Sequence, residues 1–215
     1  REYRSVIADD GKNTILVVSS GIGGPSLAIA IEELARLGIK IFIRVGTCGA
    51  IQDFIQVGDL IISEGAVRMD GTSEHYAPIS FPACADFTVN TALNQAAKKL
   101  GYNYHSGITC TSATFYPGQE RYETYTHYVI RSLQGSFEEW KKLGILNYEM
   151  EVATLFTLAR VFQLKAGAVC GVIVNRNQKE NVDLEMLQEV EKRLSRVAVN
   201  AAKILLSQMD TTQLS

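Results

Sequence analysis

Short apolar, β-branched runs in this chain repeatedly end in glycine and give way to segments of helical periodicity, and that alternation narrows the fold more than any other feature. Residues 3–8 and 14–20 are two such runs joined by Asp9-Asp10-Gly11-Lys12-Asn13, a turn-forming stretch, so they predict a hairpin. Gly21-Ile22-Gly23-Gly24-Pro25-Ser26 follows, then a helix over 27–37 closed by Gly38. A short strand over 40–45 ends in Gly46-Thr47-Cys48-Gly49-Ala50, and another covers 59–67. A helix over 86–100, capped by Gly101, carries Val89, Leu93, Ala96 and Ala97 on one stripe. After a strand over 105–113 comes a polar, tyrosine-rich loop over 115–134 and a short helix over 136–143 with Ser136 as its N-cap. A helix over 149–162, a buried strand over 166–175 and a long amphipathic helix over 182–208 complete the chain. That last helix has Leu187, Val190, Leu194, Val197 and Ala201 on its inner face. The order predicts an α/β fold: one domain of three layers, α/β/α, around a central mixed β-sheet. Ligands then belong at the strand ends.

Composition excludes several functions. Of the 215 residues 47% are hydrophobic and 20% charged, enough for a buried core, and no apolar run is long enough to span a bilayer. The net charge of −2 and the lack of a basic cluster argue against nucleic acid or an anionic membrane as partner. Any bound anion must be held by a few placed groups. Cys48, Cys84, Cys110 and Cys170 show no paired spacing, which predicts a reducing, cytoplasmic setting. His75, His105 and His127 are scattered, so no transition-metal site is expected.

Polar groups at the strand ends are the candidates for chemistry. The turn 21–26 suits either an anion at a helix start or a tight helix–sheet contact. Arg44 in an apolar strand must meet an anion. With Thr47 and the glycines beside it the site suits phosphate, and a structural ion pair is the alternative. Phe115, Gln119 and Arg121 in one loop suit a flat heterocycle with carbonyl and N–H edges, and an ordinary polar surface loop is the alternative. Glu149 and Glu151, on a helix, would diverge by about 200° and could not act as a glycosidase pair. Either one faces a pocket and accepts bonds from a sugar diol while the other serves the helix start, or both simply favour the helix dipole. The strand over 166–175 runs into Asn175-Arg176-Asn177-Gln178, a further strand-end site.

Taken in order, SSGIGGPSLAIAIEELARLGI, RVGTCGAIQ, VGDLIISEGAVRMDG, TSATFYPGQERYETY, GSFEEWKKLGILNYEMEVATLFTL and GVIVNRNQ cover nearly the whole chain. Together they resemble nucleoside phosphorylases of the hexameric type. The Gln/Arg loop, and Asn175-Arg176 where purine enzymes carry Ser-Asp, match the branch that cleaves uridine. The resemblance implies reversible phosphorolysis of uridine, with inorganic phosphate, to uracil and ribose 1-phosphate. It leaves a purine nucleoside phosphorylase, a nucleosidase and a non-catalytic nucleoside-binding homologue as alternatives. It implies that Arg44 and Thr47 hold phosphate with Arg1 lent by a neighbouring subunit, and that Met150 and Glu151 hold the ribose. Phe115, Gln119, Arg121, Ile173, Val174 and Arg176 would surround the base. No organic cofactor is implied, but a structural potassium ion at a dimer interface would involve Glu2, Ile22 and Ser26. The assembly implied is a homo-hexamer, a trimer of dimers. Cys48 departs from the threonine or serine of many members. The chain opens at Arg1 without an initiator methionine, and the resemblance implies that a few dozen family residues precede 1–215.

Overall fold

The computed structural model describes residues 3–9, 11, 14–178 and 180–212. The predicted hairpin is β1 (Ser5–Asp9) against β2 (Thr14–Val18), antiparallel, with Ser5 opposite Val18, in a two-stranded sheet of its own. The Asp9 carboxylate ties its turn, accepting from the Gly11 N–H at 2.7 Å and the Thr14 hydroxyl at 3.1 Å.

The main sheet holds β3 (Ile41–Ala50), β4 (Leu60–Met69), β5 (Ala83–Cys84), β6 (Tyr104–Ser112), β7 (Asn147–Glu149) and β8 (Lys165–Asn175). Its order is β5-β4-β6-β7-β3-β8, parallel and antiparallel pairs mixed, as expected. The sheet also curls until β8 meets β4, Leu60 opposite Gly171, so five strands form a closed ring with β5 outside it. Register shifts between Ser63 and Gly65 and between Cys48 and Gly49 supply the local bends that such closure needs.

Two helices cover each face. α1 (Gly24–Arg36) and α4 (Val152–Val161) bury Leu27, Ile31, Leu155, Phe156 and Leu158 against Ala166 and Ala168 of β8. α2 (Phe87–Leu100) and α5 (Leu184–Thr212) bury Val89, Leu93, Val190, Leu194 and Val197 against Val169. Strand alternation in β8 thus turns Ala166 and Ala168 to one layer and Val169 to the other. α2 has the expected ends: Asp86 accepts from the N–H groups of Thr88 and Val89, and Gly101 takes φ 70°. Among the described residues no helix is long and apolar enough to cross a membrane.

Glycine at 171 lets α5 lie directly on the sheet, because a Cβ there would overlap Val190 and crowd Leu194. Gly171→Ala is therefore expected to destabilise the fold by about 1–3 kcal/mol through overpacking. An unchanged urea midpoint would contradict this packing.

Three expected elements come out differently, and the short β5 was not expected at all. β3 runs through Gly46–Ala50 instead of stopping at 45, because β8 pairs with it along its whole length and β7 adds to its end. The segment opening at Asn147 is a strand, not the start of a helix: it fills the gap between β3 and β6, and α4 begins only at Val152. Ser136 lies inside α3 (Ser136–Lys142), whose N-cap is Gly135 at φ 82°, so the serine does not cap it.

Candidate active site

Arg44 enters the interior from β3 and folds over its own strand. A Cβ at position 46 would stand 2.5 Å from its Nη1, so glycine at 46 makes room for the guanidinium. Nη1 donates to the Cys170 sulfur at 3.0 Å; Nη2 donates to Glu151 Oε2 and lies 3.1 Å from Glu149 Oε2. Burial works against the charge on Arg44, but Cys170, Glu149 and Glu151 outweigh it and raise its pKa overall. Of the two partners considered for Arg44, the ion pair is the one present within the chain. The pair is doubled: one guanidinium faces two carboxylates.

The two glutamates meet because neither stands on a helix. Glu149 ends β7 and Glu151 is the residue before the first turn of α4, so the divergence expected of helical positions does not apply. Glu149 does serve the helix start, accepting from the N–H groups of Glu151 at 2.7 Å and Val152 at 3.0 Å. The Thr111 hydroxyl donates to it at 2.5 Å. Burial pushes the Glu149 carboxyl above the usual range and Arg44 opposes this. Every hydrogen-bond partner of Glu149 is a donor, so the ionised form is the one this geometry accepts. Glu151 Oε1 accepts the Gly23 N–H at 2.5 Å. The turn at 21–26 therefore holds an anion after all, but one belonging to the chain. It is also a tight contact, since a Cβ on Gly24 would strike Thr72 and Thr154. Thr47 and Met150 are half-buried on the same two segments as Arg44 and Glu151.

A second group lies around the loop after β6. Gln119 and Arg121 are buried, while Phe115 is 47% exposed with the Arg121 guanidinium 4.3 Å from its ring centre. Arg121 Nη1 donates to Glu180 at 2.5 Å, and its buried Nε has no partner among the described residues. Arg176 donates from Nη1 to the Gln119 carbonyl at 2.6 Å and from Nε to Glu180 at 3.2 Å. Its guanidinium stacks 4.8 Å from Phe137 and 5.2 Å from Tyr148. Burial and the nearby Arg121 lower the Arg176 pKa, which Glu180 opposes. Val174 lies beside Arg176 across Gly49, but Ile173, on the other face of β8, packs into the α2–α5 core. The expectation that both wall one pocket therefore holds only for Val174, because successive strand residues alternate faces. Asn175 is structural, its amide donating to the carbonyls of Gln52 and Ile55.

Glu149 as a partner of Arg44, and Glu180 as the bridge between two arginines, were not among the expected site residues. A buried arginine signals a need for anions without naming them. Glu180, four residues past Arg176, sits in a loop with no periodicity to mark it.

Arg1 and Glu2 lie outside the described residues. Of the other residues expected at a monovalent cation, Ile22 is 79% exposed, and the Ser26 hydroxyl donates to the Ser20 carbonyl at 2.5 Å. The Tyr3 hydroxyl donates to the Ser26 carbonyl at 2.7 Å, so neutral oxygens gather there. Among the described residues no group of three or more His, Cys, Asp or Glu could hold a metal.

The uridine phosphorylase of Salmonella typhimurium is 52% identical over 96% of this chain and 81% of its own length. That of Escherichia coli K12 gives the same identity and coverage, and that of Haemophilus influenzae is 48% identical over 96% of this chain and 82% of its own. The family model described as Phosphorylase superfamily matches residues 1–208. With nearly the whole chain matched in this way, it belongs to the phosphorylase superfamily.

Proposed function

We propose that this chain is a pentosyltransferase that cleaves uridine with inorganic phosphate, giving uracil and ribose 1-phosphate. The observation that carries the reading is Arg121: a buried guanidinium against an exposed aromatic face, with one N–H unpartnered among the described residues. An unmet buried donor is costly, and a base carbonyl would satisfy it. Its relatives' names point to the same substrate.

In this reading phosphate binds at Arg44 and Thr47 and attacks C1′ of the ribose from the side opposite the base. Positive charge grows on the sugar while the electron pair of the broken C–N bond moves into uracil. Donors at the uracil edge therefore strengthen in the transition state, which is the role of Arg121 and Gln119. Phe115 packs on the ring, Val174 contributes apolar surface, and Arg176 holds the loop from behind. Glu151 and Met150 bind the ribose. Each Glu151 oxygen already accepts one bond, from Gly23 or Arg44, which leaves one lone pair on each for the two sugar hydroxyls.

Residues 1–215 act as one nucleoside phosphorylase domain within a homo-hexamer, with Arg1 reaching a neighbour's phosphate. The exposed apolar residues Val6, Ile7 and Val17 of the hairpin support burial against another copy. A potassium ion at that interface, on Glu2, Ile22 and Ser26, fits the oxygens around Ser26. The free cysteines among the described residues suit a reducing, cytoplasmic compartment.

Release of uracil from uridine that depends on phosphate, with inosine as the control, tests the reaction. Release in water alone, or a preference for inosine, would refute it. Glu151→Gln is expected to raise the KM for uridine about tenfold or more, the scale of lost hydrogen bonds to a charged group. Glu149→Gln should show itself first as lost thermal stability, because its carboxylate braces the chain. The reverse order would mean the other glutamate faces the sugar.

A further inference from the structure

Between Gln119 and Arg121 stands Glu120, which the proposed reaction leaves without a task. Its backbone takes φ 53° and ψ 46°, the left-handed region where a chain usually places glycine. The Glu120 N–H donates to the Pro117 carbonyl at 3.0 Å and the Arg121 N–H to the Tyr116 carbonyl at 2.8 Å, the paired bonds that close a helical turn. This reversal leaves Gln119 and Arg121 3% and 8% exposed, while Tyr116 and Tyr122 beside them stay 50% and 48% exposed.

What keeps a glutamate in a glycine conformation is its carboxylate. Oε1 accepts the Gly135 N–H at 2.5 Å and the Tyr122 hydroxyl at 3.2 Å. Oε2 accepts the Phe137 N–H at 2.7 Å and the Ser136 hydroxyl at 3.5 Å. Gly135, Ser136 and Phe137 open α3, whose own N-cap is a glycine with no side chain to offer. The circuit then closes: α3 presents Phe137 to the Arg176 guanidinium, and Arg176 returns to the Gln119 carbonyl. The residues on either side of Glu120 are therefore fixed both through its backbone and through its carboxylate.

We propose that Glu120 is a positioning residue for base recognition, setting where Gln119 and Arg121 stand without touching the substrate. The proposal rests on the base site described above. Glu120→Gly and Glu120→Gln test it, with Arg121→Ala measured alongside. Glycine relieves the backbone but removes the anchor, whereas glutamine keeps one acceptor oxygen. The KM values for uridine and phosphate are read separately. The glycine variant should raise the uridine KM roughly 10–100-fold, the scale set by small misplacements, while the phosphate KM stays within about twofold. The glutamine variant should recover part of the loss. A lower melting temperature with both KM values unchanged would make Glu120 merely structural and overturn the proposal. If Arg121→Ala is also without effect, the base site itself is wrong and the proposal falls with it. If Arg121→Ala is crippled while Glu120→Gly keeps its uridine KM, only the role of Glu120 falls. Should the glycine variant not fold, the glutamine variant decides by the same split between the two KM values.

Discussion

Arg44→Met is expected to abolish phosphorolysis and to weaken the fold at the same time. The methionine is close in volume, so the loss is electrostatic. Glu149 and Glu151 would be left facing each other in a buried site, and breaking such a pair costs about 3–5 kcal/mol. Under the proposed function the same change removes the only guanidinium among the described residues that is bonded to Glu151. Turnover should fall by about 10³-fold or more, the upper scale for losing one preorganised charge partner of the reaction. Adding Glu149→Gln separates the two effects: the double variant should regain much of the stability and none of the activity. Thermal unfolding followed beside phosphate-dependent uracil release reads both. If the single variant turns over within tenfold of the parent, Arg44 is a brace for two carboxylates and not a phosphate ligand.

Arg121→Ala is expected to be the more selective lesion. Its guanidinium stands over Phe115 and shares Glu180 with Arg176, but no part of the sheet ring depends on it. The kcat/KM for uridine should drop by about 10²–10³, as for removal of one donor to a developing anion. Because uracil becomes anionic only as the bond breaks, most of the loss should appear in kcat. Near-parental kcat/KM would remove Arg121 from base recognition.

The elements with strong periodicity were legible in the sequence, and so was the layer order. Val89, Leu93 and Ala96 announce the buried face of α2, and the β-branched stretch 166–175 announces a strand covered on both sides. Asn147–Glu149 was not legible: three residues carry no period, and only the neighbours on either side make them a strand. For the same reason the glutamate pair looked divergent and proved convergent. Ser136 has the residue type of an N-cap, yet Glu120, far away in sequence, does the capping; local pattern carries no trace of such a partner. Arg44, Gln119, Arg121 and Glu151 stood out because buried or clustered polar groups at strand ends need a reason. Glu180 did not, since a lone acid in a polar loop needs none.

The ring of strands has a consequence for how such an enzyme can diverge. Arg44 and Glu149 belong to strands bonded on both sides within the ring, so drift at those positions disturbs the domain as a whole. Gln119, Arg121 and Glu180 lie on connecting segments outside it. Under the proposed function, natural variation can therefore rework the side that discriminates among leaving groups while the arginine–glutamate pair on the strands is inherited intact, and substrate preference becomes the most evolvable property of the molecule.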